Sequence, residues 1–406
     1  MTASPARPDA AANVTDIISA LAGVQPDSAL AQLRAERPEA TEHAQGSYAA
    51  LFDPAEVIGL TQAERFATAL RVATLHAADG AIAHYRSRLI QAGGSAEEVQ
   101  AAEQGAATAS SPRLRAILSH AELLGTHPVD ASPDALQQLS DAGLSTLEVV
   151  VLSQIIAFIS FQLRVITGLQ LLAGGGTPDA ATVATADPVV REVTPSPQTA
   201  NAANILRPAA DLKRPPVFTR DQLGWAPWLE PLDLADATPA QLAALEGRRG
   251  NSPYFRLLAL DPQVLSERTA TDLGIFYTHG GAPRADRELA AAATSRLNGC
   301  IFCASVHART AAQLSKREED VDRLLDKGIS DIPSLELGER WQAVVELAVA
   351  LAATPSVATE VHVARLREIG LAELEILDVI QAAAFFSWAN RLMLTIGEPY
   401  YEEAAG

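Results

Sequence analysis

The chain has 406 residues, of which 48% are hydrophobic, and its 49 acidic and 31 basic side chains give a formal net charge of −18. This length fits two domains of ordinary size, and the apolar fraction is sufficient for well-packed cores. The acidic balance argues against a nucleic acid or an anionic membrane as the main partner.

The first residues give no sign of an export signal. Residues 1–12 contain one arginine and lack the apolar segment that a secretory signal needs. We expect residues 1–13 to be disordered. Without a signal, a chain with only two cysteines fits a reducing compartment, so we expect a cytoplasmic protein.

A long apolar segment closes the first half of the chain. Residues 147–163 are nearly long enough to span a bilayer, but they contain Glu148, Ser153 and Gln154, and Arg164 follows directly. Polar side chains at these positions favour a helix that is buried between other helices. We therefore predict a core helix and no membrane association.

Residues 173–219 differ in composition from the segments on either side. They begin with three consecutive glycines just after residue 173 and are rich in Ala, Thr, Pro and Asp, with little apolar periodicity. We interpret them as a flexible linker between two helical domains, residues 14–172 and 220–406. Trp225 and Trp228 open the second domain, and their close spacing favours a lead-in segment that docks in a buried position.

The second half of the chain repeats the first. Residues 143–148 match residues 370–375 at a displacement of 227, which also relates Arg164 to Arg391. Nearer the start of each half the displacement is 224, and it pairs Glu64 with Glu288. Self-similarity over this length predicts a duplicated fold unit.

Helix-boundary signals recur along the chain, whereas convincing period-2 strand patterns are missing from the sequence. Ser95 with Glu98 and Ser315 with Glu318 have the spacing of a capping box, in which two side chains bond each other's backbone at a helix start. The predicted fold class is therefore all-α, with two stacked helical domains.

The two cysteines of the chain lie close together. Cys300 and Cys303 are three residues apart, and His307 follows one helical turn later. Asn298 and Gly299 are expected to end one helix, so that a new helix begins near Cys300 and carries all three side chains on one face. A helix start and an imidazolium both favour a thiolate, and the spacing lets the sulfurs approach disulfide distance. These features predict a reversible dithiol–disulfide centre.

Glu288 lies near the start of the preceding helix and could meet His307 as a proton-relay partner. Three simpler interpretations of the cysteines remain open. They could bind structural zinc together with His307, although a fourth ligand is not evident. They could form a thioredoxin-like motif, although the strand that normally precedes it is not predicted. They could also be buried structural residues without chemistry.

The arrangement of Glu288, Cys300, Cys303 and His307 on helices resembles the alkylhydroperoxidase D and carboxymuconolactone decarboxylase family. Its spacing, Glu-x11-Cys-x2-Cys-x3-His, agrees with the peroxidase branch at all four positions. The resemblance extends over about residues 253–401. Residues 14–172 resemble the same fold without the thiols, so the chain looks like a fusion of two such domains.

The resemblance implies a role for each residue of the motif. Cys303 would be the peroxidatic cysteine that attacks the O–O bond, and Cys300 would resolve the resulting sulfenic acid to a disulfide. His307 and Glu288 would relay protons to and from the reacting groups. The implied activity is hydroperoxide reduction in antioxidant defence.

The resemblance also implies the partners of the reaction. No metal ion and no bound cofactor are expected; an external dithiol such as dihydrolipoamide, or a lipoyl-bearing or other dithiol protein, would reduce the disulfide. Some alkylhydroperoxidase D proteins carry a histidine between the cysteines, where this chain has Phe302. That difference affects the expected rate and the choice of reductant.

In the first half, an alignment that starts from Glu64 places His76 at the position of Cys300 and Asp79 at that of Cys303. His84 then falls one residue beyond the position of His307. Without thiols this half would serve mainly as a partner surface for the second. A residual acid–base pocket built from these side chains is an alternative, and a metal site that uses His76 and Asp79 is a weaker one.

We expect a homo-oligomer, and two functions other than peroxide reduction remain open. Family members usually form trimers or hexamers of single domains, so a homo-trimer of this fused chain would resemble a hexamer. A non-redox enzyme like the decarboxylases would depend on Glu64 or His84 rather than on the cysteines. A redox-regulated scaffold would change its assembly without consuming peroxide.

Overall fold

The computed structural model describes residues 16–54, 57, 59–174 and 201–402. The predicted disorder at 1–13 lies outside these residues, as does the part of the predicted linker from 175 to 200. The described end of that linker makes contacts with both halves, since the Ala203 amide donates to Leu144 and the Leu206 amide donates to Trp228.

The first half is built from helices. They are α1 Ile17–Ala22, α2 Ala29–Ala35, α3 Pro38–Phe52, α4 Gln62–Leu75, α5 Asp79–Gln91, α6 Ala96–Gln104, α7 Pro112–Thr126, α8 Pro133–Asp141 and α9 Thr146–Ala173.

The second half has a similar order of helices and adds two short strands. The elements are β1 Gly224–Pro227, α10 Pro239–Ala244, α11 Pro253–Leu258, α12 Pro262–Phe276, α13 Arg284–Asn298, α14 Ile301–Ser315, α15 Glu318–Lys327, α16 Gly338–Ala352, α17 Glu360–Glu368, α18 Glu373–Thr395 and β2 Gly397–Tyr400. The predicted all-α class is confirmed.

The two strands were not predicted from the sequence. β1 pairs antiparallel with β2, so the lead-in segment is joined to the end of α18. Trp225 and Trp228 are buried there, as expected, and the indole of Trp225 donates to the Met393 carbonyl. A Cβ on Gly397 would lie 2.2 Å from the Trp225 ring, so this close approach requires glycine.

One of the two predicted capping boxes is present, and the other is not. Ser95 and Glu98 form the predicted capping box at the start of α6. The predicted box at Ser315 and Glu318 is wrong, because Ser315 is the last residue of α14. Its hydroxyl instead accepts a hydrogen bond from the amide of Arg317, just before α15 begins.

The long apolar helix is α9. By length and composition alone it could cross a membrane, but all of its most apolar window is buried inside the protein. Ser145 and Glu148 form a capping box at its start. The prediction of a core helix is confirmed, and this burial is what a soluble protein shows.

The two halves pack against each other through α9 with α18 and through α3 with α12. Arg164 on α9 donates to the Ala352 carbonyl at the end of α16, and Arg391 on α18 donates to the Gly125 carbonyl near the end of α7. The displacement of 227 relates both arginines and both carbonyls, so the two contacts are reciprocal.

Aromatic side chains repeat this reciprocity in the core between the halves. Phe158 packs on Trp388 with 5.1 Å between ring centroids, and Phe161 packs on Phe385 at 6.2 Å. The same displacement exchanges the members of these pairs. Two related units that pack face to face would make such contacts, and this supports the duplication, which stays a prediction.

Gly274 on α12 permits the close approach of α3. A Cβ at this position would lie 2.6 Å from the backbone nitrogen of Ala40, so one helix would have to move. We expect Gly274→Ala to lower the free energy of unfolding by about 1–3 kcal/mol, because overpacking outweighs the better helix propensity of alanine. Denaturant unfolding measures this change.

Gly250→Ala is the matched control for that substitution. The nearest heavy atom to a Cβ on Gly250 is the Leu245 carbonyl oxygen at 3.8 Å, an ordinary contact. We expect this variant to unfold like the wild type. Equal stability of the Gly274 and Gly250 variants would contradict the account of the interface between α3 and α12.

Candidate active site

The site forms where α13 ends and α14 begins. Gly299 adopts a left-handed conformation with φ of 79°, and a Cβ on it would lie 2.5 Å from Val129 of the first half. The turn makes Cys300 the N-cap of α14 and places Cys303 in its first turn. Both thiols therefore lie at a helix start, as predicted.

Cys300 and Cys303 are free thiols that are 1% and 5% exposed. Burial raises the pKa of Cys300 well above its ordinary value, and its hydrogen bond with Cys303 raises it further. Burial acts in the same direction on Cys303, but other groups outweigh it and lower the pKa of that thiol. They are the hydrogen bond with Cys300, the charge of His307, a hydrogen bond with Asn390 and the charge of Arg268.

The two sulfurs therefore differ in character. Cys303 loses its proton more readily than Cys300, because the pKa of Cys303 is lowered and that of Cys300 is raised. Cys300 can donate its proton in the hydrogen bond to Cys303 while its own sulfur accepts from the Cys303 backbone amide. A helix start supports this arrangement because its first N–H groups are unpaired within the helix.

His307 and Glu288 meet across the two helices. The distance between His307 Nδ1 and a Glu288 carboxylate oxygen is 2.5 Å, and Arg284 Nε donates to the other oxygen at 2.9 Å. Burial raises the pKa of Glu288, but its hydrogen bonds and the charges of His307 and Arg284 outweigh this and lower it. With Nδ1 engaged, Nε2 is the imidazole nitrogen left for exchange with the reacting groups.

Two aromatic rings hold the imidazole in place. The ring of Phe386 on α18 lies 4.0 Å from that of His307, and the ring of Phe276 on α12 lies 5.8 Å from it. Phe276 is buried, whereas the side chain of His307 is 19% exposed. The imidazole thus stands between a closed aromatic wall and the protein surface.

Asn390 is a functional residue that sequence reasoning missed. Its amide nitrogen donates to the Ser295 hydroxyl at 2.9 Å, and its oxygen accepts from Asn298 at 3.0 Å. Hydrogen bonds with Asn390 lower the pKa of both cysteines. An asparagine within the apolar segment 374–396 was the signal that could have identified it.

The isosteric variant Asn390→Asp tests this role. A carboxylate would replace a hydrogen-bond donor beside Cys303, so we expect the pKa of that thiol to rise by about one unit or more. The pH dependence of alkylation by iodoacetamide measures the change. Asn251→Asp, at an exposed position, is the control and should leave the profile unchanged.

The structure thus brings together all four predicted residues of the motif, and it adds Asn390 and Arg284. Phe302, between the cysteines, is half-buried. Among the residues described, no group of three or more His, Cys, Asp or Glu side chains could hold a metal ion. Neither the zinc site considered at Cys300, Cys303 and His307 nor the metal site considered at His76 and Asp79 is therefore supported by a ligand cluster among these residues.

The first half follows a different register from the one predicted. Ala77 has φ of 53° and corresponds to Gly299, at a displacement of 222 rather than 224. Ala78, the N-cap of α5, then corresponds to Cys300, and Ala81 corresponds to Cys303. The predicted correspondence of His76 and Asp79 with the cysteines is wrong, because a slip of two residues precedes α4.

In this register, aromatic residues of the first half occupy the positions of the Glu–His pair of the second half. Phe66 occupies the position of Glu288, and Tyr85 occupies that of His307. Both are fully buried, and the hydroxyl of Tyr85 is hydrogen-bonded to Gln162. The first half therefore has a packed core where the second half has its reactive groups.

The acidic and histidine side chains proposed for the first half serve separate contacts. Glu64 forms a capping box with Thr61 and an ion pair with Arg113 at 2.6 Å. Its counterpart is Asp286, whose ion pair is with Arg340 at 2.7 Å. The prediction that Glu64 corresponds to Glu288 is wrong, because the ion pair of Glu64 with Arg113 matches that of Asp286 with Arg340, which sets the displacement at 222.

The two histidines contact side chains other than Glu64. His76 is 3.4 Å from Arg164, and burial lowers its pKa well below the ordinary value. His84 contacts the Tyr48 hydroxyl at 3.1 Å, and burial lowers its pKa to about 3. The hydrogen bonds described for these two histidines lead to Arg164 and Tyr48, and the residual pocket stays a prediction.

The fold and the site define an all-α protein with two thiols at a helix start beside a Glu–His pair. The model of the carboxymuconolactone decarboxylase family matches residues 262–331. That segment begins with α12, extends past α15 and contains the four motif residues. Residues 262–331 are therefore similar to this family, and the predicted resemblance is confirmed for that segment.

No curated protein matches the chain. One solved structure with similarity is described as an alkylhydroperoxidase AhpD core, an uncharacterized peroxidase-related protein from Ralstonia eutropha JMP134. The two sequences are 22% identical, and the match covers 46% of this chain and 92% of the other, with a TM-score of 0.36.

Proposed function

We propose that the protein is a thiol-dependent hydroperoxide reductase. The observation that carries this proposal is the pairing of Cys303, whose pKa is lowered, with Cys300 at the start of α14, beside an imidazole held 2.5 Å from Glu288. The family of residues 262–331 supports an alkylhydroperoxidase-like or decarboxylase-like role in general. The paired thiols favour the peroxidase.

The first step is attack by the Cys303 thiolate on one oxygen of the hydroperoxide. An S–O bond forms as the O–O bond breaks, so that the sulfur is oxidised to a sulfenic acid and the peroxide is reduced. The other oxygen leaves as an alkoxide or hydroxide and takes a proton. A protonated His307 would supply that proton, with Glu288 stabilising the imidazolium.

The second step is attack by Cys300 on the sulfur of the sulfenic acid. A disulfide forms and water leaves, with the Cys300 proton carried away on that water. The position of Cys300 as N-cap, hydrogen-bonded to Cys303, makes this step a short movement. His307 would accept the proton of Cys300 and pass it to the leaving oxygen.

Reduction of the disulfide requires two electrons from an external dithiol. A dihydrolipoyl group, free or on a partner protein, would provide them and return as its own disulfide. We further propose an antioxidant role and a homo-trimeric assembly, which follow from the resemblance, and a cytoplasmic location, which follows from the cysteine content. None of these is required for the chemistry at the thiols.

Intact-mass measurement tests the cycle. One equivalent of an alkyl hydroperoxide should remove about two mass units from the chain, which corresponds to the two hydrogens lost on disulfide formation. Dihydrolipoamide should then restore the original mass. An unchanged mass after peroxide, with both thiols still open to alkylation after unfolding, would contradict the proposed function.

A further inference from the structure

Two buried polar side chains near the thiols have no hydrogen-bond partner. Tyr254 on α11 is 4% exposed and its hydroxyl is unpaired, and Arg268 on α12 is 5% exposed with its Nε unpaired. Burying such groups without partners is costly, so each calls for an explanation. The reactions of the motif residues use neither of them.

Arg268 is held by aromatic rings instead of a carboxylate. Its guanidinium carbon lies 5.1 Å from the centroid of Phe385 and 5.8 Å from that of Trp388, both on α18. Within the described part of the chain it forms no ion pair. Stacking fixes the plane of the guanidinium and leaves its N–H groups available to an anion.

The position of Arg268 along α12 places it on the side of the site. Arg268, Asp272 and Phe276 are four residues apart and share one face of the helix. Phe276, at one end of this row, packs on His307, and Arg268, at the other end, packs on Phe385. The row therefore runs along the aromatic wall that packs on His307.

Charges at the site agree with this placement. Arg268 is among the groups that lower the pKa of Cys303, and the Tyr254 hydroxyl is influenced by Arg268 and by both cysteines. Asp272 is half-buried, and its burial raises its pKa, whereas the charge of Arg268 acts to lower it. Asp272 forms no salt bridge with Arg268 among the described residues, so an anion would meet a cation whose N–H groups are not engaged by a carboxylate.

We propose that Arg268 and the Tyr254 hydroxyl form an anion-accepting subsite next to Cys303, so that the preferred substrate is an organic hydroperoxide with a carboxylate close to its O–O bond. This inference rests on the proposed function for the identity of the substrate. The subsite itself is a property of the reduced protein and is tested without turnover.

Alkylation of Cys303 by two probes of similar shape gives that test. Iodoacetate carries a carboxylate directly on the carbon that the sulfur attacks, and iodoacetamide carries a neutral amide in its place. The ratio of their rate constants reports attraction of the anion, because a change in the thiolate fraction affects both rates equally. Rates are measured on the full chain, in the Cys300→Ser background, by mass spectrometry.

The variants assign the effect to named groups. We expect Arg268→Met to lower the iodoacetate-to-iodoacetamide ratio about tenfold, since a charge-assisted contact is lost. Tyr254→Phe should lower it by a smaller factor. Arg309→Met removes a cation from the same helix as the thiols, where it donates to the Arg220 carbonyl, and should leave the ratio unchanged.

Stability separates a binding role from a structural one. Removing an unpaired buried charge should preserve or raise the melting temperature of Arg268→Met. A lower melting temperature with an unchanged ratio would show that Arg268 is structural and would overturn the subsite. So would an equal ratio in the wild type, Arg268→Met and Tyr254→Phe, even if peroxide turnover is present. If turnover is missing but the ratio falls, the subsite stands and the proposed function does not.

Discussion

Cys303→Ser is expected to lower peroxide turnover at least about a thousandfold, because a serine hydroxyl is not ionised near neutral pH and cannot replace the thiolate as nucleophile. The Cys303 side chain is buried against Cys300 and is nearly isosteric with serine, so the fold should be retained. Peroxide consumption with dihydrolipoamide as the reductant measures the effect. Circular dichroism confirms that the variant is folded.

Cys300→Ser is the matched control within the same turn. It should retain the first step and lose the second, so that one equivalent of peroxide is consumed and about 16 mass units are added as the sulfenic acid. Equal turnover in the wild type and in both variants would exclude the thiols from the reaction. Equal loss of the first step in both variants would contradict the assignment of Cys303 as the nucleophile.

Glu288→Gln is expected to lower kcat/KM for peroxide about a hundredfold, the range found for groups that take part in proton transfer. The substitution keeps the shape of the side chain but removes the charge that stabilises an imidazolium on His307. Because the charge of His307 lowers the pKa of Cys303, that pKa should also rise. Rate and pH profile are measured together.

A second Glu–His pair in the same protein supplies the control. His43 Nδ1 lies 2.8 Å from a Glu267 carboxylate oxygen where α3 meets α12, and neither residue is among the groups that shift the pKa of either cysteine. Glu267→Gln removes the same kind of contact, and its effect on kcat/KM should be small. Comparable losses in the Glu267 and Glu288 variants would show that the activity responds to general stability and that Glu288 is no relay group.

Much of the second half could be predicted from local signals. Gly299 ends one helix, Cys300 begins the next, and spacings of three and four residues place Cys303 and His307 on its inner face. These relations are fixed by helical geometry over less than three turns. The meeting of His307 with Glu288 was a hypothesis because it depends on how two helices fold back on each other.

The first half shows where sequence matching failed. Glu64 was paired with Glu288 because both are acidic and lie near a helix start, but Glu64 belongs to the capping box with Thr61. Its counterpart in ion pairing is Asp286, two residues earlier than expected. Identity of residue type cannot detect a short change in loop length, whereas left-handed residues such as Ala77 and Gly299 mark the register in three dimensions.

The sequence by itself determined the helical class, the burial of α9 and the arrangement of Cys300, Cys303 and His307, because each follows from contacts between residues near in the chain. Only the tertiary structure decided which residues tune those thiols. Asn390 reaches them from α18, and Arg268 acts on them from α12. Electrostatic and hydrogen-bonding effects fall off with distance in space and not along the sequence, so they are settled only when the helices are packed.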